Sequence, residues 1–207
     1  MTTRDIVLGR IRSAIEGTPV PTISRGYRQT AQPDNQQLVD RLVDYGAIVR
    51  SCSESGVALV VDELLHASDI RILVVPADLD SSWLPPLTER RWGGATLADE
   101  SALQPSDLDG DDVAVLTSCC VAISDTGTLV LDGGPGQGRR LLTLVPDHHL
   151  CVVRSDQIVG TVADAMRLLD ARRPLTWISG PSATSDIELR RVEGVHGPRH
   201  LSVIMTT

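Results

Sequence analysis

Phenylalanine and lysine are both missing from this chain, and each absence removes a set of functions. Without lysine, all 19 basic side chains are arginine, so no side-chain amine can form a Schiff base and no lysine can complete a P-loop. Without Phe, and with aromatic residues at only 2%, the core must be built from Val, Leu, Ile and Ala. Positive charge is also scarce. A formal net charge of −8 argues against nucleic acid, which needs a basic face to neutralise phosphates. No apolar run approaches the ~20 residues of a membrane span. The N-terminal segment carries Arg4, Asp5, Arg10 and Arg12 where a signal peptide would have an apolar core, so a cytoplasmic chain with no membrane span is expected. The cysteines, Cys52, Cys119, Cys120 and Cys151, have no C-x-x-C spacing, and adjacent Cys119 and Cys120 make a poor disulfide. They read as buried, reduced thiols, with no metal site and no cofactor held by this chain.

What is present suffices for a sizeable core: 42% of 207 residues are hydrophobic, enough for one large domain or one domain with an arm. Residues 4–16 read as an amphipathic helix, with Val7, Ile11 and Ala14 on one stripe and Leu8 and Ile15 beside them. This helix is expected to pack on its own domain; the alternative is that it docks a partner. Residues 17–36, rich in Pro, Gly, Thr and Gln, read as an extended strap, so 1–36 form an arm and 37–207 the α/β domain. A helix starts near Asp34 or Asn35 and stops at Gly46, a short strand follows at Ala47–Val49, a helix at Val57–Leu65 and a strand at Ile70–Val75. That alternation predicts an α/β fold with a mostly parallel central sheet flanked by helices. Around Trp83 and Trp92 the chain reads as loop with one helical turn. Strands are expected at 111–116, 128–131, 141–145, 150–153, 176–179 and 201–205, with 121–123 either strand or helical turn. The close spacing of the middle ones suggests an antiparallel or mixed portion. Helices are expected at 158–169, capped by Ser155, and after Ser185, where Ser185 and Glu188 form a capping box.

Polar loops at the ends of apolar strands are where α/β proteins keep ligand sites. Gly180, Pro181, Ser182 and Thr184 lead into the predicted helix start, where free N–H groups and hydroxyls suit a phosphate or carboxylate, or simply cap the helix. Asp125, before Thr126, Gly127 and Thr128, could act as base, nucleophile or ligand orienter, or could cap its own turn. The run Gly134-Pro135-Gly136-Gln137-Gly138 reads as a hairpin loop, because a strand and not a helix is expected after it; Arg139 and Arg140 could still contact an anion from its edge. His196 lies between two glycines in a turn before the last strand, and is a candidate beside Gly197. His148 and His149 are adjacent, so in an extended segment they face opposite ways and cannot easily share a metal.

The stretches Ala122-Ile123-Ser124-Asp125-Thr126-Gly127-Thr128, Gly180-Pro181-Ser182-Ala183-Thr184-Ser185-Asp186-Ile187-Glu188 and Gly194-Val195-His196-Gly197-Pro198 together resemble the LUD-domain family. The resemblance runs nearly end to end, including the Arg-rich first helix and the strap around Arg25, Gly26 and Tyr27. It implies that 37–207 form a LUD-type domain with a fold similar to the glucosamine-phosphate isomerase, ribose-phosphate isomerase and CoA-transferase group. It implies a role in oxidising L-lactate to pyruvate with iron–sulfur partner proteins that hold the redox centres, this chain binding a small anion. The expected ligand-binding set is Thr126, Gly127, Thr128, Gly180, Pro181, Ser182, Thr184, Asp186, Glu188, His196 and Gly197, with Asp125 the catalytic candidate. Two alternatives stay open: a stand-alone enzyme acting on a phosphorylated or CoA-linked carboxylate, and a ligand-binding or scaffold protein without chemistry.

Overall fold

The computed structural model describes residues 2–24, 26–88, 90–99, 103–184, 192–193 and 197–207. Helix α1 spans Thr3–Ile15, and an extended strap leads to α2, Asn35–Asp44, whose first turn is capped by the Asp34 carboxylate accepting from the Gln37 N–H. Then come β1 (Ile48–Cys52), α3 (Val57–Ala67), β2 (Ile72–Val75), β3 (Ala95–Ala98), β4 (Val113–Ser118), β5 (Val121–Ile123), β6 (Thr128–Leu131) and β7 (His148–Arg154). They are followed by β8 (Ile158–Val159), α4 (Val162–Leu168), β9 (Thr176–Ile178), β10 (Ala183–Thr184), β11 (Val192–Glu193) and β12 (His200–Thr206).

Among the described residues, six strands form a wholly parallel sheet in the order β1-β12-β7-β4-β2-β3. A second sheet, β8-β5-β6-β9, is mixed: β6 runs antiparallel to both neighbours, while β8 is parallel to β5. Alternation of side chains along each strand divides the core. On one face of the parallel sheet, Leu73, Val75, Ala114, Leu116, Leu150, Val152 and Ile204 pack with α3 and with Trp83 and Trp92. On the other face, Cys151, Val153, Leu201, Val203 and Met205 meet Leu38 and Leu42 of α2 and the inner residues Ala122, Leu129 and Leu131 of the second sheet. Helix α4 covers the outer side of that second sheet through Ala165, against Val121, Ile123 and Val130. The layers are therefore α3, parallel sheet, mixed sheet, α4.

The α/β class and the parallel central sheet stand as the alternating pattern predicts. Several elements differ. The expected strand at 141–145 is instead a 3-10 turn, Arg140–Thr143, that drops Leu142 under β2 and β4 against Val74, Val113 and Val115. The helix expected from 158 begins later, because residues 158–159 pair with β5 and the true start is the Thr161–Asp164 capping box. Edge strand β3 has no counterpart in the sequence reading, and its four residues are exposed or half-buried. The segment before it is pinned by the buried Asp62 carboxylate of α3, which accepts from the Arg91 and Trp92 N–H groups at 3.0 and 3.2 Å. Helix α1 forms, but none of its residues is buried, so the expectation that it packs on its own domain is corrected. The predicted helix after Ser185 lies outside the described residues; just before it, Ala183 and Thr184 form a strand paired with Val192 and Glu193.

Candidate functional site

Two of the turns singled out in the sequence meet in space. The Ser182 N–H donates to the Pro198 carbonyl at 2.8 Å, which ties the Gly180 segment to the Gly197 turn. Between them and the Arg140–Thr143 turn lies a cleft of about 360 Å³. Its floor is the start of β7 and β12, at His149 and Leu201, and one wall is the end of β9 from Thr176 to Ser179. A smaller pocket of about 180 Å³ shares Arg140, Thr143 and Thr176 with it and reaches the Gly133–Gly138 loop.

Each wall has a local cause. The Gly-rich loop is held at the carboxyl end of β4: Ser118 donates its N–H to the Gly136 carbonyl at 2.7 Å and its hydroxyl to the Pro135 carbonyl at 2.9 Å. Asp132 at its base is ion-paired with Arg173 at 2.6 Å and accepts the Gly134 N–H, so its carboxyl sits below its ordinary pKa despite partial burial, which pushes the other way. Arg139 is engaged by Asp99 at 2.5 Å. The next residue, Arg140, lines the cleft, and its guanidinium makes no ion pair among the described residues.

His149 is a buried polar group bordering the cleft. It is fully inaccessible on the face of β7 that looks toward the second sheet, and its Nε2 lies 2.8 Å from the Thr117 hydroxyl of β4. Its Nδ1 has no hydrogen-bond partner among the described residues. Burial lowers its pKa to about 4, so the ring is neutral near pH 7. His148, as the alternation requires, does not share that face; its ring stacks on His200 at 4.4 Å. Sequence reasoning set His149 aside, since one sequence cannot show that a buried imidazole borders a cavity. The available signal was a polar residue directly before a run, Leu150–Val153, that reads as fully buried strand.

The expected site residues divide into three groups. Gly180, Pro181, Ser182 and Gly197 line the cleft with Arg140 and His149. Asp125, Thr126, Gly127 and Thr128 lie elsewhere, at the turn between β5 and β6. There Asp125 is ion-paired with Arg28 of the strap and faces Gln37. It borders a separate open groove with Tyr27, Thr161 and Arg167. A chain of hydroxyls, Thr126 to Thr128 at 2.7 Å and Thr128 to Ser179 at 2.8 Å, joins this turn to the cleft wall. The backbone of Thr184 is in β10; Asp186, Glu188 and His196 lie outside the described residues. Gly127 and Gly180 also have a packing duty. Both take positive φ, 62° and 92°, and a Cβ would stand 2.5 Å from Cβ of Arg41 and 2.4 Å from Cβ of Tyr45, both residues of α2 or its cap.

Burial disfavours the thiolate form at Cys52, Cys119 and Cys120. Cys119 is held protonated by a hydrogen bond with Cys151 and by burial, and burial also raises Cys120. Cys119 and Cys151 are buried as expected, whereas Cys52 and Cys120 are only half-buried.

The chain is similar to known proteins. Residues 108–206 match the model of the LUD domain, a stretch that runs from before β4 to the end of β12 and includes every cleft residue. Lactate utilization protein C of Deinococcus radiodurans is 49% identical over 82% of this chain and 77% of its own length. The chain belongs to the LUD-domain family. Two further matches are shorter: lactate utilization protein C of Bacillus pumilus is 36% identical over 37% of this chain and 35% of its own, and the Escherichia coli protein YkgG 38% over 37% and 36%. A crystal structure of a DUF162 family protein from D. radiodurans superimposes with a TM-score of 0.68 and 40% identity, covering 83% of this chain and 95% of the other. The matched stretch holds β4, β7 and β12 of the parallel sheet, the whole second sheet and the cleft residues, whereas β1, β2 and β3 precede it.

Proposed function

We propose that this chain serves lactate utilization, as a component of an assembly in which iron–sulfur partner proteins carry the electrons and this LUD domain holds the small organic anion. The observation that carries the reading is the similarity to a lactate utilization protein C over 82% of the chain. The cleft supports the anion: Arg140 offers a guanidinium with no ion pair among the described residues, which can meet a carboxylate in a fork geometry, beside the polar turns at Gly180 and Gly197. The absence of cluster-type cysteine spacing in the sequence supports placing the redox centres in partners. The test is reconstitution. Candidate iron–sulfur partners are combined with and without this chain, and lactate-dependent dye reduction is followed. The expected result is a rate that depends on the chain and falls at least tenfold with Arg140→Met, a loss on the scale of one charge-assisted hydrogen bond. Equal rates with and without the chain would remove the assembly role.

A further inference from the structure

Buried polar side-chain atoms in native proteins nearly always have a partner, so each exception asks for a reason. Three such atoms lack one among the described residues: Trp83 Nε1, Thr96 Oγ1 and His149 Nδ1. Only the histidine borders the cleft. Its other nitrogen is occupied, with Nε2 2.8 Å from the Thr117 hydroxyl, and the ring is fully inaccessible. Leaving a buried ring nitrogen unpaired carries its full desolvation cost. A ligand in the cleft that supplied the missing hydrogen bond would recover that cost.

We propose that His149 Nδ1 recognises the oxygen on the second carbon of the bound acid, so that the cleft selects 2-hydroxy and 2-oxo carboxylates over carboxylates with no oxygen there. The proposal rests on the reading of the cleft as a site for a small organic anion. The chemistry suits both oxidation levels. A neutral imidazole carries one N–H and one bare nitrogen, and a threonine hydroxyl either donates or accepts. When Nε2 holds the proton and donates to Thr117 Oγ1, Nδ1 is bare and accepts from a 2-hydroxyl. When the Thr117 hydroxyl turns and donates to Nε2, Nδ1 carries the proton and donates to a 2-oxo oxygen. The same pocket can then hold a hydroxy acid and its oxo counterpart through a turn of the Thr117 hydroxyl and a change of ring tautomer, in which the imidazole gives up its Nε2 proton and takes one at Nδ1 by exchange with water. Because burial keeps the ring uncharged near pH 7, the contact adds a hydrogen bond and no second positive charge, and Arg140 remains the partner of the carboxylate.

The test compares L-lactate, pyruvate and propionate, acids of the same chain length that differ at the second carbon. Binding is measured by calorimetry, and the His149 ring nitrogens are followed by ¹⁵N NMR in the wild-type chain. L-lactate and pyruvate are expected to bind at least tenfold more tightly than propionate, with the Nδ1 resonance moving on addition of the first two only. His149→Asn, which places an amide near the position of Nδ1, should keep much of the preference. His149→Leu, combined with Thr117→Val so that no hydroxyl is left unpaired, should abolish it while propionate binding persists. If all three acids bind equally, Arg140→Met weakens them and Nδ1 does not move, the histidine assignment is overturned and the anion site stands. If none binds and Arg140→Met changes nothing, both the anion site and the assignment fall.

Discussion

At His149 a single side chain links stability to pH. Its ordinary pKa of 6.5 is lowered to about 4 in the fold by burial. Between those values the unfolded chain binds the proton and the folded chain does not. The stabilisation is therefore complete above about pH 6.5 and is lost as pH falls toward 4. On that shift the protein should be about 2 kcal/mol less stable at pH 5 than at pH 7 from this group alone. Urea unfolding at the two pH values checks it: His149→Asn should flatten that part of the slope, and an unchanged slope in the variant would assign the pH dependence to other groups. At Gly180 the constraint is steric. An alanine would need a positive φ and would press its Cβ into Tyr45, so Gly180→Ala should cost about 3 kcal/mol in the same assay. A loss below 1 kcal/mol would mean that α2 shifts away freely.

At the scale of elements, the arm and the body behave differently. Helix α1 buries none of its residues, so deleting residues 1–16 should leave the thermal midpoint of the remaining chain within a few degrees of the original, because little apolar area is lost. A large drop would show that α1 packs in solution. The strap beyond it is held at specific points: Arg28 on Asp125, the Ala31 N–H on Asp164 at 3.1 Å, and the Gln29 carbonyl accepting from Arg167 at 2.9 Å. It also passes close over Gly160, where a Cβ would stand 2.2 Å from the Ala31 carbonyl oxygen. Gly160→Ala should therefore lift the strap, and limited proteolysis within residues 26–33 should speed up several-fold with the body intact. Unchanged cleavage would mean that the strap is not held there.

Over the whole molecule, the parallel sheet sits between α3 and the mixed sheet, and its central strands β4, β7 and β12 are buried along nearly their full length. Hydrogen exchange should be slowest at Val115, Leu116, Val152 and Val203 and fast throughout β3, which is an edge strand with exposed residues. Comparable protection in β3 and β7 would contradict the layer order. Among the described residues, no helix is long and apolar enough to cross a membrane.

Periodicity and turn chemistry in the sequence determined the helix that starts at Asn35 and stops at Gly46, the helix at 57–65, which the structure extends to Ala67, and the continuous apolar strands of the parallel sheet, because those signals are local and strong. They also marked the Gly180 and Gly197 turns, whose residues do line one cleft. The tertiary structure decided the rest. The apolar run at 141–145 satisfies a strand or a turn equally well, and only the gap beneath β2 and β4, where Leu142 fits, selects the turn. Asp125 and Gly180 look like parts of one site along the chain, yet Arg28 draws the carboxylate to the strap. His149 reads as an ordinary strand residue until the packing of two sheets closes around its ring, satisfies one nitrogen through Thr117 and leaves the other without a partner among the described residues. Which polar group remains unpaired depends on contacts between residues far apart in the chain, and no local pattern encodes that.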